Sequence, residues 1–300
     1  MTRARSALLA LTGALSAAAL SAAPAGAASP CSAPPAKSTV AYASIAGVPA
    51  DRTSVDVYRP SAACLGSRPA PVVMWVHGGA YRTGDKANQM RDKIALFSSR
   101  RYILVSVNYR LTDGSAHAAR YPDHFRDVAS AVAWVRSHIG RYHGDGKRIA
   151  LLGHSAGADI VSNVATNPRW LKERGLRPSA LRCAGPLDTE GFDKPRAEPD
   201  ELAQWAAPLG NATDYLHRTS ATLLVQPGIG LRPVITLVRG TPRRQAIEQG
   251  YANALRAAKV PVTTIDARGL THAEVNSRIG APGDTVMTPP LVAFLTTCLG

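Results

Sequence analysis

Gly153-His154-Ser155-Ala156-Gly157 sets one serine between two glycines, straight after the apolar run 148–152 and straight before a helix-forming stretch at 158–165. A chain that turns from strand to helix in so few residues makes a tight corner, and glycines there remove Cβ atoms that would strike neighbouring backbone. Such a corner exposes the Ser155 hydroxyl above the strand ends and points the positive end of the next helix at any negative charge that develops beside it. A hydroxyl so placed attacks a carbonyl carbon once a nearby base takes its proton. Two histidines follow it in the chain. His272 lies in Gly269-Leu270-Thr271-His272-Ala273-Glu274, just past the last apolar strand run, whereas His217 stands beside Arg218 in an irregular stretch and reads as surface or lid.

A second glycine-rich turn complements the first. His77-Gly78-Gly79-Ala80 ends the apolar run 71–76, and backbone N–H groups at Gly78 and Gly79 can approach a substrate oxygen without side-chain obstruction. With the N–H of Ala156 they form a candidate oxyanion hole. His77 itself reads as a structural residue that orients this loop.

The elements needed to hold these turns follow from the hydrophobic pattern. Strands are expected at 39–46, 53–58, 71–76, 102–108, 148–152, 181–187, 233–238 and 261–267. Helices are expected at 86–99, 123–139, 158–165, 242–258 and 289–299, the second with Val128, Val132 and Val135 on one side. Alternation of apolar strands with helices from residue 71 onward predicts a mostly parallel sheet covered on both faces. Residues 194–232, broken by prolines and glycines, are expected to form a lid or partial cap.

Taken together, these motifs resemble the α/β-hydrolase superfamily, in particular its esterase and lipase branch. The resemblance runs from about residue 40 to 300 and is carried by His77-Gly78-Gly79-Ala80, the Gly153–Gly157 turn, and the Trp134 helix leading into Arg148-Ile149-Ala150-Leu151-Leu152. The stretch Gly78 to Lys86 is similar to that of bacterial feruloyl-esterase-like and arylformamidase-like members. The resemblance implies an eight-stranded sheet, a serine–acid–histidine triad in that chain order, and no metal or organic cofactor. It also puts the base on the loop after the last strand, which selects His272. In most relatives the acid follows the strand before the last. Here that position reads Arg239-Gly240-Thr241-Pro242-Arg243-Arg244, without a carboxylate. One strand earlier, Leu187-Asp188-Thr189-Glu190-Gly191 is similar to the acid segment of pancreatic-type lipases, so Asp188 is the leading candidate, with Glu190, Asp193 and Glu248 as alternatives.

Other residues read as structural. Asp127 suits a helix start, Asp145 suits a turn in His143-Gly144-Asp145-Gly146, and Trp75 and Trp134 suit the core. The histidines lack metal-ligand spacing. Asn211-Ala212-Thr213 matches a glycosylation string, a pattern short enough to arise by chance.

Length and composition agree with one hydrolase domain. Three hundred residues that are 45% hydrophobic bury a substantial core, which excludes a disordered or collagen-like chain. Residues 1–27, with Arg3 and Arg5 before a Leu/Ala-rich run and Ala25-Gly26-Ala27 at its end, read as a secretory signal peptide. Residues 28–37 read as an arm and 38–300 as the domain, with no transmembrane segment. Four cysteines in an exported chain suggest two disulfides; position favours Cys31–Cys64 and Cys183–Cys298 among three pairings. The net charge of +14 is scattered and lacks a nucleic-acid motif, so it favours at most weak association with anionic surfaces. The expected partner is an ester, as a small molecule or linked to a polymer, and the expected location is extracellular. Rival readings are an amide hydrolase of the arylformamidase kind and a non-catalytic hydrolase-fold binding protein.

Overall fold

In the computed structural model, residues 31, 33–210 and 213–300 are described. The expected signal peptide therefore lies outside the described residues, as do two positions of the Asn211-Ala212-Thr213 string. In chain order the strands are β1 (Ala36–Ala41), β2 (Ser54–Arg59), β3 (Ala70–Val76), β4 (Ile103–Val107), β5 (Gly144–His154), β6 (Cys183–Leu187), β7 (Val234–Val238) and β8 (Val262–Asp266). The α-helices are α1 (Ala62–Leu65), α2 (Arg91–Ser99), α3 (Asp123–His138), α4 (Ala156–Thr166), α5 (Pro168–Lys172), α6 (Pro199–Leu209), α7 (Thr213–Arg218), α8 (Ala221–Leu224), α9 (Pro242–Ala257), α10 (His272–Ser277) and α11 (Thr288–Leu299).

All eight strands join one sheet in the order β1-β2-β4-β3-β5-β6-β7-β8. β1 and β2, and β2 and β4, pair antiparallel, while every pairing from β4 to β8 is parallel. This is the α/β-hydrolase fold. Because parallel strands are covered on both faces, their side chains alternate between two cores. Val72, Met74 and Val76 pack with Val128, Val132 and Val135 of α3 and Ile160 of α4 on one face. Val73 and Trp75 pack with Phe97 of α2, Val275 of α10 and Leu291 of α11 on the other.

The strand order also fixes where a site can open. After β3 the chain moves outward to β4, then crosses back to β5 on the other side of β3. Connections leaving the carboxyl ends of β3 and β5 therefore diverge, and a crevice opens between them. Both glycine turns lie there: residues 77–80 follow β3, and Ser155 follows β5.

Several bounds differ from the sequence expectation. The first strand is Ala36–Ala41, displaced toward the N-terminus, and β5 starts four residues before 148. Helix α2 begins at Arg91 rather than 86, because Gln89 sits at φ +54 and residues 86–90 form a loop in which the Lys86 N–H donates to Asn108 Oδ1 at 2.7 Å. Residues 194–232 are less irregular than their composition suggests, since they carry α6, α7 and α8. Trp75 is a core residue, whereas Trp134 is only partly buried and stacks on His138. Asp127 takes Arg110 in a two-point ion pair, and Asp145 lies within β5 rather than in a turn, accepting the Lys147 N–H at 2.8 Å and Arg148 at 2.9 Å. The cysteines pair as Cys31–Cys64 and Cys183–Cys298, with Cα atoms 4.7 and 6.1 Å apart; the second ties α11 to the start of β6.

Candidate active site

Ser155 occupies the corner between β5 and α4 with φ +59 and ψ −124, a conformation that a residue with a side chain adopts only under constraint. The constraint is close packing. A Cβ on Gly157 would lie 2.2 Å from the carbonyl oxygen of Val76, so only glycine lets α4 start this near β3. A Cβ on Gly78 would lie 2.9 Å from the Ser155 Cβ, which puts the bare backbone of the β3 loop directly against the serine. Ala156 is the first residue of α4, so its N–H is one of the unpaired donors at the positive end of that helix. Gly78, Gly79, Ser155 and His272 line one open cavity of about 720 Å³, together with Trp75, Arg82, Gln89 and Asn276.

His77 does what the sequence suggested. Its ring stacks on Tyr109 with centroids 4.5 Å apart, its Nδ1 lies 2.7 Å from the Gly78 carbonyl oxygen, and the Tyr109 hydroxyl donates to the His77 carbonyl at 3.1 Å. Burial lowers its pKa, favouring a neutral ring within the loop.

His272 is the first residue of α10, a helix opened by a capping box between Thr271 and Glu274. Its Nδ1 lies 2.6 Å from Oδ2 of Asp188, which follows β6 at φ +69 and is fully buried. The structure thus brings together the leading acid candidate and the leading base candidate. The alternatives face elsewhere. Glu190 takes Arg244 at 3.0 Å and the Glu198 N–H at 2.9 Å. Glu248 accepts the Arg239 N–H at 2.8 Å; burial first, then the nearby Asp188 charge, pushes its carboxyl up to about 8. Asp193 lies in the 3₁₀ turn Gly191–Arg196, and His217 is exposed on α7.

Three further residues shape this centre and were not singled out from the sequence. His154, beneath the serine, approaches the His272 carbonyl oxygen through Nε2 at 2.9 Å, and the two rings lie 4.4 Å apart. Burial, reinforced by His272, pushes its pKa down to about 3, so it is neutral at ordinary pH and Nε2 is the protonated nitrogen that donates. Arg239, at the end of β7, donates from Nε to Asp188 Oδ2, and its Nη2 lies 3.1 Å from His272 Nδ1. Arg244, in the first turn of α9, donates to Asp188 Oδ1 from Nε at 3.0 Å and from Nη2 at 2.7 Å. Burial acts to raise the Asp188 pKa, but the hydrogen bond from His272 and the charges of Arg244, His272 and Arg239 outweigh it and hold the carboxyl well below its usual range.

His154, Asp188 and His272 place two nitrogens and a carboxylate oxygen within 4.8 Å of one another, a spacing that suits a metal ion. One nitrogen of each ring and both carboxylate oxygens are engaged: His154 Nε2 with a carbonyl, His272 Nδ1 with Asp188, and Asp188 with two guanidinium groups. Two positively charged arginines on the only carboxylate disfavour a cation there. The arrangement suits proton transfer between a serine hydroxyl and an oriented imidazole, next to backbone donors for an anionic oxygen.

The chain is similar to several known proteins. Residues 55–173 match the family model described as BD-FAE. The chain is 40% identical over 101 residues to the probable carboxylic ester hydrolase LipM of Mycobacterium tuberculosis, covering 33% of this chain and 22% of that protein. It is 34% identical over 154 residues to carboxylesterase 3 of Homo sapiens, covering 49% and 26%. It is 28% identical over 211 residues to the para-nitrobenzyl esterase of Bacillus subtilis, covering 64% and 42%. The chain thus spans less than half the length of these curated relatives. Among solved structures, a truncated carbohydrate esterase from gut microbiota superposes with a TM-score of 0.70 at 17% identity, covering 89% of this chain and 99% of that one. Esterase B from Lactobacillus rhamnosis gives 0.66 at 17% identity, covering 87% and 84%. At such identities the structural likeness speaks for the fold.

Proposed function

We propose that the chain is a secreted serine esterase of the esterase and lipase branch of the α/β-hydrolase superfamily, working through an acyl-enzyme. Ser155 Oγ attacks the ester carbonyl while His272 Nε2 takes its proton. The tetrahedral oxyanion receives hydrogen bonds from the N–H groups of Gly78, Gly79 and Ala156, and His272 returns its proton to the leaving alcohol. Water then repeats the sequence on the acyl-serine. Asp188 keeps the Nδ1 proton of His272 in place, which leaves Nε2 free to act as base. The observation that carries this reading is the 2.6 Å contact between Asp188 and an imidazole that shares its cavity with Ser155. The Arg3-to-Ala27 leader pattern supports secretion, and so do two disulfides, which persist in oxidising surroundings. Fluorophosphonate labelling tests the assignment. Wild type is expected to be labelled and Ser155→Ala not; folded wild-type protein that resists labelling would leave a non-catalytic binding protein as the better reading. A panel of short-chain, long-chain and aromatic esters with formyl amides then separates ester from amide cleavage.

A further inference from the structure

Tyr81 closes the β3 glycine loop, yet its side chain leaves that loop altogether. Ala80 and Tyr81 lie at φ +50 and φ +65, two consecutive non-glycine residues in the left-handed region. Such residues keep that conformation only where surrounding contacts impose it. For Tyr81 the contacts come from three other parts of the chain. Its carbonyl accepts the Thr112 N–H at 2.8 Å, its ring meets His124 edge-on at 4.9 Å, and its hydroxyl donates to Oδ2 of Asp159. Asp159 belongs to the first turn of α4, and its N–H bonds back to the Ser155 carbonyl at 3.1 Å. The other carboxylate oxygen takes Lys194 Nζ at 2.7 Å and Asn163 Nδ2 at 3.0 Å. Lys194 gives its remaining protons to the carbonyls of Gly191, at 3.0 Å, and Thr219, at 2.6 Å, so all three are used. Tyr81, Asp159 and Lys194 are at most 1% exposed.

We propose that Tyr81, Asp159 and Lys194 form a buried positioning relay that holds the glycine loop of β3 in register with the serine corner. The three oxyanion donors belong to two separate elements, Gly78 and Gly79 to the loop and Ala156 to α4. Their spacing is useful only if those elements are fixed to each other, and the Tyr81–Asp159 hydrogen bond crosses that gap. Lys194 balances the carboxylate and ties the 3₁₀ turn Gly191–Arg196 to the same point. The hydroxyl of Tyr81 fills no packing role that a phenyl ring would leave undone, so its contribution is the link itself.

The inference rests on the serine-esterase reading, and the test separates the two. In the full chain, Tyr81→Phe is compared with wild type for kcat and KM on p-nitrophenyl acetate, for the rate of fluorophosphonate labelling, and for thermal melting. Displaced oxyanion donors weaken transition-state binding but not substrate binding, so kcat is expected to fall about ten-fold or more with KM within about two-fold. Labelling is expected to slow in parallel, because the phosphonyl oxygen uses the same donors. A variant that melts cooperatively and keeps kcat within two-fold of wild type overturns the relay while leaving the esterase reading intact, and so does a loss confined to KM. A wild-type protein that neither hydrolyses ester nor labels removes both.

Discussion

Replacing Asp188 with asparagine separates the proposed triad from its rivals. An amide in place of the carboxylate has one oxygen and one NH₂ group, where the native residue offers two acceptors. Oδ1 now takes Arg244 and Oδ2 takes both Arg239 and His272. With its oxygen toward Arg244, the asparagine presents N–H to His272 Nδ1, which must then be unprotonated. The proton moves to Nε2, the nitrogen needed as base. A triad in the wrong tautomer loses roughly 10³ to 10⁴ in kcat, about 4–5.5 kcal/mol of transition-state stabilisation. The same change leaves Arg239, only 11% exposed at its side chain, without its carboxylate, whereas Arg244 keeps Glu190 at 3.0 Å. Stability should therefore fall by about 2–4 kcal/mol, less than a fully orphaned buried charge would cost. The assay is kcat on p-nitrophenyl acetate near pH 8, corrected for the folded fraction by circular dichroism, with Glu190→Gln and Glu248→Gln alongside. Both glutamine variants are expected within about three-fold of wild type in kcat. An Asp188→Asn protein that keeps more than a tenth of wild-type kcat, or a Glu248→Gln protein that loses as much as Asp188→Asn, refutes the reasoning.

Two stability predictions follow from the same structure. The Glu248 carboxyl, raised to about 8 in the fold against about 4.3 unfolded, binds a proton that the unfolded chain has released between those values. The native state therefore loses relative stability as pH rises through that window, and Glu248→Gln should flatten the fall of unfolding free energy between pH 5 and pH 8 by up to about 3.5 kcal/mol, read as a smaller drop in melting temperature; equal slopes in both proteins would contradict it. The Cys183–Cys298 bridge closes a separation of 115 residues, for which loop-closure entropy gives up to about 4.8 kcal/mol, so the Cys183→Ala/Cys298→Ala double variant should melt well below wild type, and one melting within a degree or two of it would refute this.

The parallel half of the sheet was legible in the sequence because its strands are buried on both faces and read as unbroken apolar runs. The two glycine turns were legible for a related reason: backbone that must touch backbone leaves a residue-type signature at Gly78 and Gly157. Helix α10 was not anticipated, although Thr271-His272-Ala273-Glu274 has the spacing of a capping box and was open to that reading. Helix α6 likewise begins at Pro199, a favoured first helical residue, within a stretch whose prolines and glycines suggested only irregularity. The relay through Tyr81, Asp159 and Lys194 left no local signal, because its members are 78 and 35 positions apart and only the fold brings them together.

The arginines around Asp188 follow the same rule and explain a feature that looked like a gap. The sequence has basic residues at the end of β7, where the resemblance to the esterase and lipase branch places an acid, and the proposed acid, Asp188, stands one strand over, after β6. β6 and β7 are neighbours in the sheet, so a side chain from either end reaches the same imidazole. A carboxylate with no exposed surface is driven toward its neutral form by desolvation, and a neutral acid cannot stabilise a protonated imidazole. Donors from Arg239 and Arg244 on one side and His272 on the other occupy both oxygens of Asp188, and the carboxyl stays ionised despite its burial. In the proposed triad, an acid at the end of β6 and arginines at and beyond the end of β7 therefore form one arrangement, in which the β7 end supplies the charge that keeps Asp188 ionised.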